Sequence, residues 1–205
     1  MQNHKMKKAA LFIICILATG LLSAQDFRKD GNYINLGYGL DPWGSALYTS
    51  SLGSVNRTNI GPIMLMYERG VTDVLGIGRI GVGGGLAQSF YSQRHTYLGI
   101  EDRYKTSRTS IVARGAYHFE FDIPKLDVYA GLGGAFHLYS DKDEVYNPFS
   151  SSADADGYVV TRDSRVGVGH YVFAGVKYYF TDAFAVYAEV GHGLVAFNGG
   201  LAFAF

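Results

Sequence analysis

Along most of the chain, large apolar residues recur at every second position. From Tyr33 onward, Ile34, Leu36 and Tyr38 alternate with Asn35 and Gly37, and Ile63, Leu65 and Tyr67 alternate with Met64, Met66 and Glu68. Ile80, Val82 and Leu86 are interleaved with Arg79, Gly81, Gly83 and Gly85; Ile111, Ala113, Tyr117, Phe119 and Phe121 with Arg114, Ala116, His118 and Glu120. Val128, Ala130, Leu132, Phe136 and Leu138 oppose Asp127, Tyr129, Gly131, Gly133 and His137. Val172, Ala174, Val176 and Tyr178 oppose Phe173, Gly175, Lys177 and Tyr179, and Val186, Ala188 and Val190 oppose Tyr187, Glu189 and Gly191. The last stretch, "NGGLAFAF", sets Leu201, Phe203 and Phe205 against Gly200, Ala202 and Ala204. A strict period of two marks a strand with two unlike faces. The pattern therefore predicts eight strands.

The connections alternate as well. "GVTDV", "FDIPKLD" and "FTDAF" are short turns, whereas residues 41–59, 88–107 and 140–165 read as long polar loops, with a shorter one near Gly193. Short turns at one end, long loops at the other and segments of about ten residues predict an all-β, eight-stranded antiparallel up-and-down barrel that spans a membrane. No linker divides off a second domain.

Period two alone does not say which face is outside, since a soluble carrier barrel turns its apolar face inward. Composition decides. The charged face is also the small face (Gly81, Gly83, Gly131, Gly133, Gly175, Gly200), as the crowded inside of a narrow barrel requires. The apolar face places Tyr67, Phe119, Phe121, Tyr178, Phe180, Phe203 and Phe205 near the short turns, as an interfacial girdle would. Across all 205 residues, 27 glycines, 16 tyrosines and 13 phenylalanines against 4 prolines suit crowded β-structure.

The N-terminus has the layout of an export signal. Lys5, Lys7 and Lys8 precede an apolar run from Ala9 to Leu22, and Ser23-Ala24 offers small residues for cleavage. The expected division is a signal peptide over 1–24 and a barrel domain over 25–205. Loss of the signal would leave 15 basic against 18 acidic residues, a formal charge of −3, and no cysteine, because Cys15 lies in the apolar run. Such a balance excludes a disulfide framework, a thiol nucleophile and a basic surface for nucleic acid.

With a signal, eight alternating segments and a terminal aromatic stripe, the chain resembles the small eight-stranded outer-membrane β-barrel family of Gram-negative bacteria, the OmpA/OmpX-like barrels. The resemblance implies an integral outer-membrane protein with both termini periplasmic. Its partners would be outer-membrane lipid and lipopolysaccharide, periplasmic chaperones, the barrel-assembly machinery and an extracellular ligand for the loops. In that family the final strand ends in Phe with apolar residues at alternate positions before it, and the machinery reads this as a signal; Leu201, Phe203 and Phe205 match it.

Candidate chemistry is sparse. "GIGRIG" (Gly76, Gly78, Gly81) fits a dinucleotide fingerprint literally, but alternation, not a helical period, follows it, so no nucleotide and no cofactor is expected. Glu68, Arg79, Arg114, His118, Glu120, Asp127, Lys177 and Glu189 share the inward face and predict a salt-bridge network filling the lumen, since buried charges need partners. Arg79 is expected about one diagonal from Glu68, and Glu120 opposite Asp127. His170 and His192 face outward near the long-loop rim, about one diagonal apart. A lipid-modifying hydrolase on this scaffold would need a serine and an acid beside them. The same-face Ser164 is six residues from His170, about 20 Å of strand, and Glu189 points inward. Asp154, Asp156 and Gly157 echo only part of a calcium loop, and no metal site is expected. The reading is a non-enzymatic outer-membrane protein whose loops serve envelope integrity or adhesion. The alternatives are a lipid-modifying enzyme and a small passive channel.

Overall fold

The computed structural model describes residues 27–40, 54–97, 100–121 and 123–205. The predicted signal peptide lies outside them. Eight antiparallel strands close into a ring in chain order: β1 (Asn32–Leu40), β2 (Ser54–Gly70), β3 (Gly78–Tyr97), β4 (Ile100–Phe119), β5 (Leu126–Tyr146), β6 (Tyr158–Tyr179), β7 (Phe184–His192) and β8 (Phe197–Ala204). The ring is sealed where β1 pairs with β8, from Tyr33 opposite Ala204 to Leu40 opposite Phe197. Beyond the ladder, the amide N–H of Phe205 donates to the Asn32 carbonyl (3.0 Å), and that of Asn32 donates back to the Phe205 carbonyl (3.2 Å). Both ends of the barrel domain therefore lie at the rim that carries the short turns.

The alternation assigns the faces as predicted. Leu36, Leu65, Leu86, Ile111, Leu132, Val168 and Leu201 project outward and are exposed, Leu132 by 69% and Val168 by 84%. The intervening residues fill the lumen. Inward glycines make room for rings on the neighbouring strand: a Cβ on Gly175 would lie 2.7 Å from the Tyr129 ring opposite it, and one on Gly131 would lie 2.5 Å from Phe173. Small residue beside large ring is how a narrow barrel is packed solid.

Two of the predicted long loops, 88–107 and 140–165, need correction, and of the third, 41–59, residues 41–53 lie outside the described residues. Residues 88–97 and 100–107 are one continuous hairpin, Phe90 opposite Ser107 and Tyr97 opposite Ile100. In the same way 140–146 pairs with 158–164, leaving 147–157 as the turn. Residues 54–60 extend β2 past a bulge between Ile60 and Ile63, where Gly61 adopts φ +97° and Pro62 needs no ladder partner. Above the ring, β2 to β6 thus rise as a five-stranded sheet, while β1, β7 and β8 stop at the rim. These segments are polar on both faces because neither meets a uniformly apolar surface, so the two-residue period fades there.

Candidate functional site

The inward charges converge on one buried cluster drawn from five strands. Glu68 of β2 accepts at Oε2 from Arg114 Nη2 (3.3 Å) and Lys177 Nζ (3.3 Å), while His118 Nε2 lies 3.2 Å from its Oε1. The other ring nitrogen of His118 is 2.8 Å from Asp127 Oδ1, and Lys177 reaches Asp127 Oδ2 at 3.8 Å. Arg114 Nη1 donates to Glu189 Oε1 at 2.6 Å, joining a second acceptor to the cluster. The Glu189 carboxylate also takes the hydroxyls of Tyr129 (3.0 Å) and Tyr171 (3.1 Å) and the amide of Asn198 (3.5 Å). The side chains of Glu68, Arg114 and Lys177 are wholly buried.

Aromatic rings complete the cluster. Arg114 lies over Phe173 at 4.5 Å, and Lys177 lies over Tyr129 at 4.9 Å and Tyr33 at 5.2 Å, so both cations also meet π faces. Below, toward the short turns, Phe27 enters the mouth from the segment before β1 and stacks flat on His118, centroids 3.5 Å apart and planes 3° apart. Above, Met64, Met66, Val112 and Ala135 form an apolar layer under Leu194 and Val195, which the β7–β8 turn folds over the lumen. Aromatic, ionic and apolar layers fill the middle of the lumen, and a cavity of about 320 Å³ remains at the short-turn mouth beside Phe27, Arg79, His118 and Asp127.

Two of the eight predicted network residues lie apart from the cluster. Arg79 and Glu120 pair with each other at 2.8 Å at the mouth, with side chains 24% and 38% exposed. Arg79 Nη1 also donates to the Phe27 carbonyl (2.9 Å), so this pair secures the Phe27 segment instead of meeting Glu68. The Arg79–Glu68 expectation failed because the β2–β3 register puts Gly83, four residues from Arg79, opposite Glu68, and Glu120 lies past the end of β4. The β4–β5 ladder ends at Phe119 opposite Val128, one step short of Glu120 and Asp127, and Asp127 takes His118 and Lys177 as its cationic partners. Sequence reasoning also passed over Tyr33, Tyr129, Tyr171 and Asn198, whose signal was simply that they share the parity of the charges. Phe27 carries no periodic signal at all.

No family model matches the chain, and no curated protein aligns with it. Among solved structures, the N-terminal β-barrel domain of Pseudomonas aeruginosa OprF is similar over 86% of this chain and 98% of that one. Its identity is 13% and its TM-score 0.33. So loose a likeness carries no residue role across.

The remaining candidates resolve individually. His170 and His192 are exposed on the outer face with rings 5.8 Å apart, on the diagonal set by Val172 opposite His192. Glu189, on the neighbouring inward position, is committed to Arg114 and the tyrosines, and Ser164 pairs with Ser140 farther up the sheet. Gly76 is in the β2–β3 turn at φ +69° and Gly78 opens β3, so the glycine motif introduces a strand. Asp154 closes the β5–β6 turn, its Oδ1 accepting the amides of Asp156 (3.1 Å) and Tyr158 (2.8 Å). Among the described residues no three His, Cys, Asp or Glu side chains group as a metal site. Leu201, Phe203 and Phe205 all face outward and are exposed.

Proposed function

We propose that the chain is an integral β-barrel of a bacterial outer membrane, non-enzymatic, with a sealed lumen and a raised hairpin sheet as its outer contact surface. One observation carries this reading: the barrel is inside out by the standard of a soluble protein. Full charges are buried within the ring while Leu, Val, Ile and Phe clothe the outside, and only an apolar surround makes such an exterior favourable. The filled lumen supports a structural role for the charges over conduction. The raised sheet, the polar part of the molecule that clears the bilayer, supports a role in envelope integrity or adhesion. On this reading both ends of the barrel domain face the periplasm.

The test is gel mobility of the outer-membrane fraction with and without boiling. A band there whose mobility changes on boiling is expected of a closed barrel. An unshifted band in the soluble periplasmic fraction would overturn the reading.

A further inference from the structure

We propose that the outward face of the raised sheet holds the phosphorylated headgroup of a membrane lipid, bound by Lys105, Lys142 and Arg162. The proposal rests on the membrane reading above.

The strand register brings these residues together. No register shift interrupts the β3–β4, β4–β5 or β5–β6 pairings, so the alternation set by the exposed Phe90, Ile111, Leu138 and Val166 continues upward unchanged. It places Ser92, Lys105, Lys142 and Arg162 on the outer face as one row, each directly opposite the next. Like charges directly opposed across a ladder destabilise it, so a row of three cations calls for an anion between them. One row higher, Arg94 is opposite Arg103. The acids on this face are Glu101, shared by Arg94 (3.2 Å) and Arg103, and Glu144, held by Lys142, with Arg103 at 3.9 Å and Lys105 also acting on it through space. Five cations therefore meet two carboxylates, and Lys105 and Arg162 make no ion pair among the described residues. The aspartates of the same strands alternate to the other face, where Asp141 takes Arg165 Nε (3.1 Å) and Tyr104 (3.1 Å). Charge is sorted by face.

Height fits a headgroup. Phe119 marks the foot of β4, and Thr109 lies 10 residues above it. At about 3.4 Å per residue and a tilt of about 40°, that is roughly 26 Å along the membrane normal, the thickness of an outer-membrane apolar band. Thr109 is opposite Gln88, so the first polar pair on β3 and β4 falls near that edge, while the same row stays apolar at Leu138 and Val166. Lys105 is four residues higher, so it stands about 10 Å above the hydrocarbon. Shape fits as well. Lys105 and Lys142 border a groove of about 240 Å³ whose lining also includes Ile60, Phe90, Thr58 and Ser92. Ile60 and Phe90, opposite each other and half exposed, lie directly below the cations. A phosphate at Lys105 and Lys142 can accept from both ammonium groups and from the hydroxyls, while an acyl chain descends over Ile60 and Phe90.

The experiment reconstitutes the full barrel in phosphatidylcholine vesicles containing a minor fraction of diphosphorylated lipid A, extracts it gently and counts retained lipid A by native mass spectrometry. Lys105→Gln/Lys142→Gln/Arg162→Gln is expected to retain at least about tenfold less than wild type, given what each juxtamembrane cation contributes. Lys105→Gln alone, an exposed change with no ion pair to lose, should fall between them. Inorganic phosphate at millimolar concentration should leave retention unchanged. Equal retention by wild type and both variants would overturn the site, and full displacement by inorganic phosphate would make it a free-anion site instead. Boiling-dependent mobility of each vesicle sample separates the two readings: if wild type does not insert, the membrane assignment falls and takes this one with it. If all insert and retain alike, only the headgroup site falls.

Discussion

Replacing Lys177 with methionine keeps most of the side chain's length and removes its charge. The ammonium group is wholly buried, 3.3 Å from Glu68 and 3.8 Å from Asp127, and packed over three aromatic rings. Deleting one partner of a buried ion pair costs about 3–5 kcal/mol, because the carboxylate left behind has no water to turn to. In this lumen Glu68 keeps Arg114 and His118, and Asp127 keeps His118, so the lower end, about 3 kcal/mol, is expected. The companion change Glu68→Gln removes the carboxylate shared by Arg114, His118 and Lys177, leaving Arg114 to Glu189 and the other two to Asp127, and should cost a similar amount. Combined, the two changes remove opposite charges, and the double variant should be more stable than the summed singles imply, by about 1–3 kcal/mol. The assay is urea unfolding of vesicle-inserted barrel, followed by the fraction running at the folded position on unboiled gels. A Lys177→Met midpoint within about 0.5 kcal/mol of wild type, or strictly additive costs, would refute the idea that these residues act as one network.

Four other outcomes are expected. Gly175→Ala drives a methyl into the Tyr129 ring and the Glu189 side chain and should cost about 1–3 kcal/mol in the same urea assay; no loss would mean that the lumen is looser than described. Phe205→Ala keeps both backbone bonds to Asn32, so it should fold into pure lipid vesicles at the wild-type rate yet assemble more slowly where the assembly machinery is supplied. Equal rates in both settings would remove the assembly role of that ring. Glu144, in the raised sheet, is held below its ordinary value of 4.5, chiefly by its hydrogen bond from Lys142. A depressed carboxyl contributes stability above its unfolded value and loses it as pH falls through the folded one, so protease resistance of the hairpins should drop as the pH is taken down below 4.5. Lys142→Ala should return the Glu144 titration, followed by NMR, toward 4.5. In planar bilayers the barrel should pass no steady current, since Tyr129, Tyr171, Arg114 and Glu189 occupy its bore; resolved unitary steps would contradict that packing.

The eight strands and their facing were legible because inside and outside differ so strongly in chemistry: Glu68 between Tyr67 and Arg69 in a β pattern can face only one way. The histidine diagonal was legible too, because the turn through Asp182 is tight and fixes the count along β6 and β7. What could not be read was anything depending on register across a less regular turn. Counting alone matches Arg79 with Glu68, but the turn at 71–77 sets Gly83, four residues from Arg79, opposite Glu68. The raised sheet was hidden for a different reason. Segments such as Arg103–Ser107 offer polar groups to both faces, so no periodic signal separates a strand from a loop. Phe27 was hidden by isolation, a single ring before the first strand with nothing to repeat.

The seam between β1 and β8 also imposes an order of events. Glu68 and Lys177 are 109 residues apart in sequence, and the cavity that shelters both has no wall on one side until β8 is in place. A chain inserted strand by strand would drag Glu68, Arg114 and Lys177 through hydrocarbon while an open edge of β1 still lacked hydrogen-bond partners. Neither exposure is tolerable alone, and β8 ends both at once. On the membrane reading proposed above, residence in the bilayer is an all-or-none property, settled by whether the β1–β8 seam is closed.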